Sequence, residues 1–395
     1  MKRRSTTERL FTPAFITLGI AELCYFTAFG VALFALPLYV TGPIGGDAAA
    51  AGLAVGAFAL SALVLRPIAG RLADRFGRLP LLFGGALLAA ASLALLLVAE
   101  SLPVVVALRL LAGVAEAAFF VAGFAALADL APEARMGEAL SYNSLGLYLG
   151  ISLGPLLGAA LVDLAGFGLA WTAAAVLALL AASLTLLVGE TRTEAPADDA
   201  ERHLIHRPAI PIVLGFLAAL IAMGGFLAFA SLDATQLGFD NAGLALFVYG
   251  AVVVVCRIAF ARVPDKVPSL ALGTAALVVI GVGLIIAASL RSPVGLLMGA
   301  AVLAVGVAFS TPAFFSAIFA TATPSQRGVA SGTASAVIDL GLGLGPIALG
   351  LVADGFGIPW AFGAGAAVAG VGAIWTLVLS RRVAVSSPGR DDHIG

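Results

Sequence analysis

Three carboxylates (Glu22, Glu116 and Asp339) and three guanidinium groups (Arg66, Arg109 and Arg257) stand inside long apolar runs of this 395-residue chain. Charge in such surroundings is costly and is kept for chemistry or for pairing, which makes these six the candidate functional groups. A carboxyl group carried between a dry pocket and a nearby cation changes its hold on a proton, and that is the chemistry of a proton carrier. Glu22 leads the candidates, because Tyr25 and Phe26 follow at i+3 and i+4 on the same helical face. Glu116 follows Arg109 by two helical turns on one face, so a structural ion pair competes with proton carriage there. Asp339 stands two residues before Gly341, where local helix packing is the competing role. Arg66 and Arg257 lie four residues before charged turns and read as inner-gate or headgroup residues, with anionic substrate as the alternative.

The elements that must hold these groups are set by composition. The chain is 61% apolar and 11% charged with a mean hydropathy of +1.11, where soluble domains carry roughly 25% charge. Runs long enough to cross ~30 Å of hydrocarbon stand at 12–40, 48–69, 79–99, 103–125, 138–161 and 168–189. Six more follow at 209–231, 243–261, 269–290, 294–318, 328–352 and 360–380. Lipid offers no partner to an open strand, so all twelve are expected to be helices. The expectation is an all-α polytopic membrane protein of two six-helix, pseudo-symmetric halves.

Lys and Arg set its orientation. Arg291 alone falls in an outer loop, and Arg66, Arg109 and Arg257 lie within spans. Every other one of the 21 falls on one side, which by the positive-inside rule is cytoplasmic, with both termini. A net charge of −1 with the basic residues sorted by side gives no nucleic-acid footprint.

The halves are repeats. Arg66, Arg71, Asp74 and Arg75 return 191 residues later as Arg257, Arg262, Asp265 and Lys266. At the same offset Gly150, Gly154 and Pro155 return as Gly341, Gly345 and Pro346, and Asp163 as Asp354. The halves are bounded at 1–189 and 209–395, with 190–208 as a polar cytoplasmic linker. Two like-oriented halves suit a transporter, because rocking one on the other opens a central site to either side.

Two segments extend the reading. Gly70-Arg-Leu-Ala-Asp74-Arg75-Phe-Gly77-Arg78 joins spans two and three on the inner side. It resembles the signature loop of the major facilitator superfamily, Gly-x-x-x-Asp-Arg-x-Gly-Arg, departing at Leu79, where many members carry another base. The resemblance implies that Asp74 meets the amides near Gly328 to Ser331 at the start of helix 11 in the outward-open state. Arg109-Leu-Leu-Ala-Gly113 resembles the family's Arg-x-x-x-Gly motif, which implies a part for Arg109 in proton coupling. Helix 5 carries Gly146, Gly150, Gly154-Pro155 and Gly158. This pattern resembles the antiporter motif of the drug/proton antiporter branch, with Ala159 where the final Gly is usual, and implies export. A ridge of small residues that only packs helices is the alternative, and the copy at Gly341, Gly345 and Pro346 argues for it in part.

Other chemistries find little support. Cys24 and Cys256 lie inside spans and make no disulfide framework or metal spacing. His203, His206 and His393 lie in polar segments and are expected to be solvated. No phosphate loop or Cys/His pair points to an enzyme, no appended domain to a sensor, and no cofactor is expected. The sequence thus points to a monomeric, proton-coupled exporter of small organic compounds in the inner membrane, with multidrug efflux as its pattern. A proton symporter importing a sugar or similar metabolite is the alternative.

Overall fold

The structure is a computed structural model that describes residues 10–132, 135–192, 205–323 and 326–385. Among these residues it is all helix. The spans are α1 (Pro13–Thr41), α2 (Ala48–Phe76), α3 (Arg78–Leu95) and α4 (Leu102–Leu130). The helix Met136–Val188 breaks at Ala165 and Gly166, whose φ/ψ are −151/23 and 78/−175, and so gives two spans, α5 (136–164) and α6 (167–188). The second half holds α7 (Ile210–Gln236), α8 (Leu244–Ala259), α9 (Ser269–Ser289), α10 (Pro293–Phe319), α11 (Arg327–Phe356) and α12 (Ile358–Val385). These account for the twelve apolar runs, although α8 is shorter than its run. The loop expected between the fifth and sixth spans is only a kink, because Gly166 alone can take the positive φ that turns the chain. The α2 helix also runs past its apolar stretch, so Arg71, Asp74 and Arg75 are helical and the turn falls on Gly77.

Short polar caps start several spans where the apolar stretch begins. Thr12, Asp47 and Ser292 accept from the backbone N–H of Phe15, Ala50 and Gly295 at 3.2, 2.7 and 3.1 Å. Each satisfies a donor that a helix start leaves open.

The packing repeats with the sequence. The α1 helix lies along α5 as α7 lies along α11, and α2 packs on α4 as α8 packs on α10. Between the halves run two main seams, α2 with α11 and α5 with α8, and α1 also touches α7. At the face opposite the linker both seams are closed by glycines. A Cβ on Gly52 would stand 2.2 Å from the carbonyl oxygen of Pro346, and one on Gly243 would stand 2.3 Å from that of Pro155. These contacts are related by the 191-residue offset. One turn deeper, the Gly343 carbonyl lies against Gly56, and the offset-related Ser152 donates to the Phe247 carbonyl at 3.1 Å.

The glycine ridges of α5 and α11 do the same work in each half. A Cβ on Gly154 would come within 2.6 Å of Gly30 in α1, and one on Gly345 within 2.5 Å of the offset-related Ile221 in α7. Gly150 and Gly158 press on Phe26 and Val31, and Gly341 on Leu220.

Candidate functional site

Toward its linker end, the α2/α11 seam holds one cation and two acids. Arg66 Nη2 donates to Asp339 Oδ1 at 2.9 Å and to Glu116 Oε1 at 3.3 Å. Its Nε also makes an ion-pair contact with Asp339 Oδ2. The guanidinium lies 4.3 Å from the ring centroid of Phe120, one turn beyond Glu116 on α4. The side chains of Arg66, Glu116 and Asp339 are 14%, 9% and 5% exposed, so the cluster is screened by little water. With both acids ionised the cluster carries one net negative charge, and a single proton neutralises it. Because Asp339 belongs to the other half, the cluster also ties the halves together.

The corresponding place in the α5/α8 seam is chemically different. Arg257 Nη2 donates to Tyr148 Oη at 2.9 Å, with the guanidinium 4.4 Å from the phenol ring centroid. Tyr148 stands 191 residues before Asp339, so the same fold position holds a phenol in one seam and a carboxylate in the other. Val307 takes the place of Glu116. Among the described residues Arg257 has no ion pair, and its Nε is buried without a hydrogen-bond partner.

Arg109 does not pair with Glu116. It lies buried inside the first half, over the rings of Phe58 and Phe29 at 4.7 and 5.8 Å, with its Nε unpartnered. The two-turn spacing puts both residues on one side of α4, but Arg66 reaches Glu116 first. Arg109, Tyr25, Phe29, Phe58 and Ser92 line a cavity of about 20 Å³, room for about one water molecule. Tyr25 stacks on Phe119 at 4.0 Å. Glu22 is 3% exposed, its carboxylate against Gly123 of α4 and its Cβ near Gly146 of α5. It sits within the first half, away from the seams.

The Gly70–Arg78 segment is tied down locally. Gly77 takes φ +100, and Glu190 caps the α3 start by accepting from the N–H groups of Arg78 and Leu79 at 2.9 and 3.2 Å. Partial burial works against the Glu190 charge, yet backbone donors from Arg78, Arg192 and Leu79 hold its carboxyl below the usual range. Arg78 bridges Asp74 at 2.8 Å and Asp129 at 3.2 Å, and Thr191 donates to Asp129 at 3.1 Å. Arg192 donates to the Asp74 carbonyl. The Asp74 side chain is 55% exposed, and among the described residues its partner is Arg78 rather than the α11 start expected for the outward-open state. Among the described residues a Cβ on Gly70 would meet only Val121, at 3.9 Å. The side chain of Asp265, the repeat of Asp74, lies outside the described residues.

Two placements differ from expectation. His206 is 5% exposed, its N–H donating to Thr333 Oγ1 at 2.9 Å and its Nε2 lying 3.0 Å from Thr321 Oγ1, so the end of the linker is tucked against α11. His203 lies outside the described residues. Asp233, completely buried at the end of α7, was not among the candidate acids because its apolar run stops short of it. It receives a two-pronged bond from Arg291 at 2.7 and 3.0 Å, which gives that base a structural partner.

The model of the Major Facilitator Superfamily matches residues 18–337. An uncharacterised MFS-type transporter of Burkholderia mallei is 29% identical over 381 residues, covering 93% of this chain and 92% of that one. One from Salmonella typhimurium is 28% identical over 394 residues, covering 97% and 99%. Among solved structures, a bacterial homologue of the human lysosomal transporter Spinster, inward-facing and occupied, superposes with a TM-score of 0.78 at 16% identity, covering 95% and 98%. The human organic anion transporter MFSD10 gives 0.67 at 19% identity, covering 93% and 100%. The nucleoside transporter NupG gives 0.76 at 14%, covering 93% and 99%.

Proposed function

Since the chain belongs to the Major Facilitator Superfamily and is a multi-pass membrane transporter, we propose that it works by alternating access and couples transport of a small organic compound to protons. The observation that carries the reading is the cluster of Arg66, Glu116 and Asp339. It crosses from one half to the other, and one proton changes its charge from −1 to zero. Protonation would slacken the tie between the halves, which is how a proton gradient can bias a rocking motion. Arg109 with Tyr25, and Glu22 between α1, α4 and α5, supply a second protonatable station inside the first half. The halves, 1–189 and 209–395, would move about the closed glycine contacts, with the linker and both termini on the cytoplasmic side of the inner membrane. A monomer suffices for this cycle.

We favour export, on the helix 5 pattern. One observation favours import as a second reading: the α5 ridge and its α11 copy make equivalent packing contacts, so the ridge need not carry direction. The solved neighbours handle substrates as different as an organic anion and a nucleoside, and at such low identity they support the fold alone.

Proteoliposomes test the reading. A pH gradient should drive accumulation of a panel of lipophilic cations, sugars and organic acids, with counter-movement of protons for export. Glu116→Gln or Asp339→Asn should abolish accumulation while leaving substrate exchange. Full pH-driven accumulation in both variants would remove the cluster from the mechanism; the same test on Glu22→Gln decides whether the second station takes part.

A further inference from the structure

We infer that Arg257 and Tyr148 form the binding site for the carboxylate of a singly charged organic anion. The inference rests on the transport reading above and names the class of its substrate. The two seams make the argument, because each supplies the other's control. On Arg66, Asp339 Oδ1 accepts from Nη2, and Oδ2 lies in ion-pair contact with Nε without a hydrogen bond there. One charge-assisted hydrogen bond and an ion pair thus hold the acid against the guanidinium. At Arg257 the repeat has replaced this acid by Tyr148, which takes Nη2 and leaves Nε buried with neither a hydrogen bond nor an ion pair among the described residues. Val307 replaces the second acid.

Among the described residues, what remains is chiefly donors. Arg257 offers Nε–H and its remaining N–H groups, and Tyr148, having accepted from Arg257, still has its own O–H to give. A cation finds no carboxylate there among the described residues, and a neutral amide leaves the charge uncompensated. A carboxylate placed against Arg257 takes Nε–H with one oxygen and the phenol hydrogen with the other, and supplies the charge that Asp339 supplies to Arg66. An uncompensated guanidinium among apolar helices is costly, so an anion is the ligand the site gains most from. Escape to lipid headgroups is not what the side chain does: it points across the seam, with the guanidinium over the Tyr148 ring at 4.4 Å. One cation without an acid among the described residues calls for a monoanion rather than a phosphate dianion.

The test uses the full-length protein purified in a nonionic detergent, with thermal unfolding followed against ligand concentration. The probes are benzoate and hexanoate, the neutral benzamide, the cation benzyltrimethylammonium, and phosphatidylglycerol as a lipid anion. A carboxylate should raise the melting temperature while benzamide and the cation do not. Arg257→Gln should weaken carboxylate binding by roughly tenfold or more, as expected for a charged hydrogen bond. Tyr148→Phe should weaken it less, and Arg257→Lys should restore part of the binding if the Gln variant folds poorly. No carboxylate effect, an equal effect of benzamide, an undiminished effect in Arg257→Gln, or stabilisation by phosphatidylglycerol alone would each overturn the site. Detergent binding requires no gradient, so carboxylate binding without proton movement in liposomes would sink the coupling and leave the anion site standing. Coupled transport of neutral or cationic compounds with no carboxylate binding would do the reverse.

Discussion

At the face opposite the linker, Gly52 meets the Pro346 carbonyl and Gly243 meets the Pro155 carbonyl, at would-be Cβ distances of 2.2 and 2.3 Å. At the linker end of the same two seams, Arg66 meets an aspartate and Arg257 a tyrosine. The duplicated unit has thus been preserved where backbone must touch backbone and altered where charge is handled. Shape complementarity at a helix crossing tolerates no added atom on either side. A guanidinium tolerates any acceptor, so the two copies were free to diverge in chemistry while keeping one geometry.

The difference between the seams can be broken most forcefully at the arginines. Arg66→Leu leaves Glu116 and Asp339 buried together without a cation and should cost about 3–5 kcal/mol. Arg257→Leu removes a hydrogen bond to a neutral phenol but also relieves an unpaired guanidinium, and should cost less, about 1–2 kcal/mol. Thermal unfolding of the two variants in one detergent checks this, and equal losses would erase the chemical distinction. Gly52→Ala and Gly243→Ala sharpen the other side of the comparison. Each should cost about 1–3 kcal/mol by overpacking, and the two losses should match. A large inequality would mean that only one seam is closed by its glycine. Tyr148→Phe should cost about 0.5–1.5 kcal/mol, the worth of one hydrogen bond, and shift unfolding least among the seam variants.

The smallest effect lies outside the seams, at the capped turn. Glu190→Gln should cost about 0.3–1 kcal/mol, toward the low end because the carboxylate is exposed. Its folded-state carboxyl is held low by three backbone N–H groups. The contribution is therefore present above the free carboxyl range and fades as pH falls through the depressed folded value. Hydrogen exchange at the Arg78 and Leu79 amides between pH 7 and 3 reads this directly. Protection lost in the wild type only on acidification, and absent at all pH in the Gln variant, is the expected outcome.

The spans and the repeat were legible in the sequence because lipid imposes long apolar stretches and the offset of 191 aligns like with like. Arg66, Glu116 and Asp339 could each be picked out as charged residues in apolar runs, but their association could not. Arg66 and Asp339 are 273 residues apart, and the nearer spacing of Arg109 and Glu116 pointed to the wrong pair. Tyr148 was open to the same offset that related Gly150 to Gly341. It escaped notice because a phenol facing an acid in an alignment looks like the loss of a feature. Asp233 and His206 were hidden differently: one lies just past the end of its apolar run, and the other is in a polar stretch whose composition suggests water.

The cap that Glu190 places on α3 has a practical corollary for anyone dividing the gene. A first fragment ending at residue 189 would leave the amides of Arg78 and Leu79 bare, and Asp74 without its bond from Arg192. A fragment carried three residues further would keep Glu190, Thr191 and Arg192 with the helices they fasten. Two plasmids cut after Arg192 should therefore reassemble a working protein more readily than two cut after Gly189, although neither joint touches a membrane span.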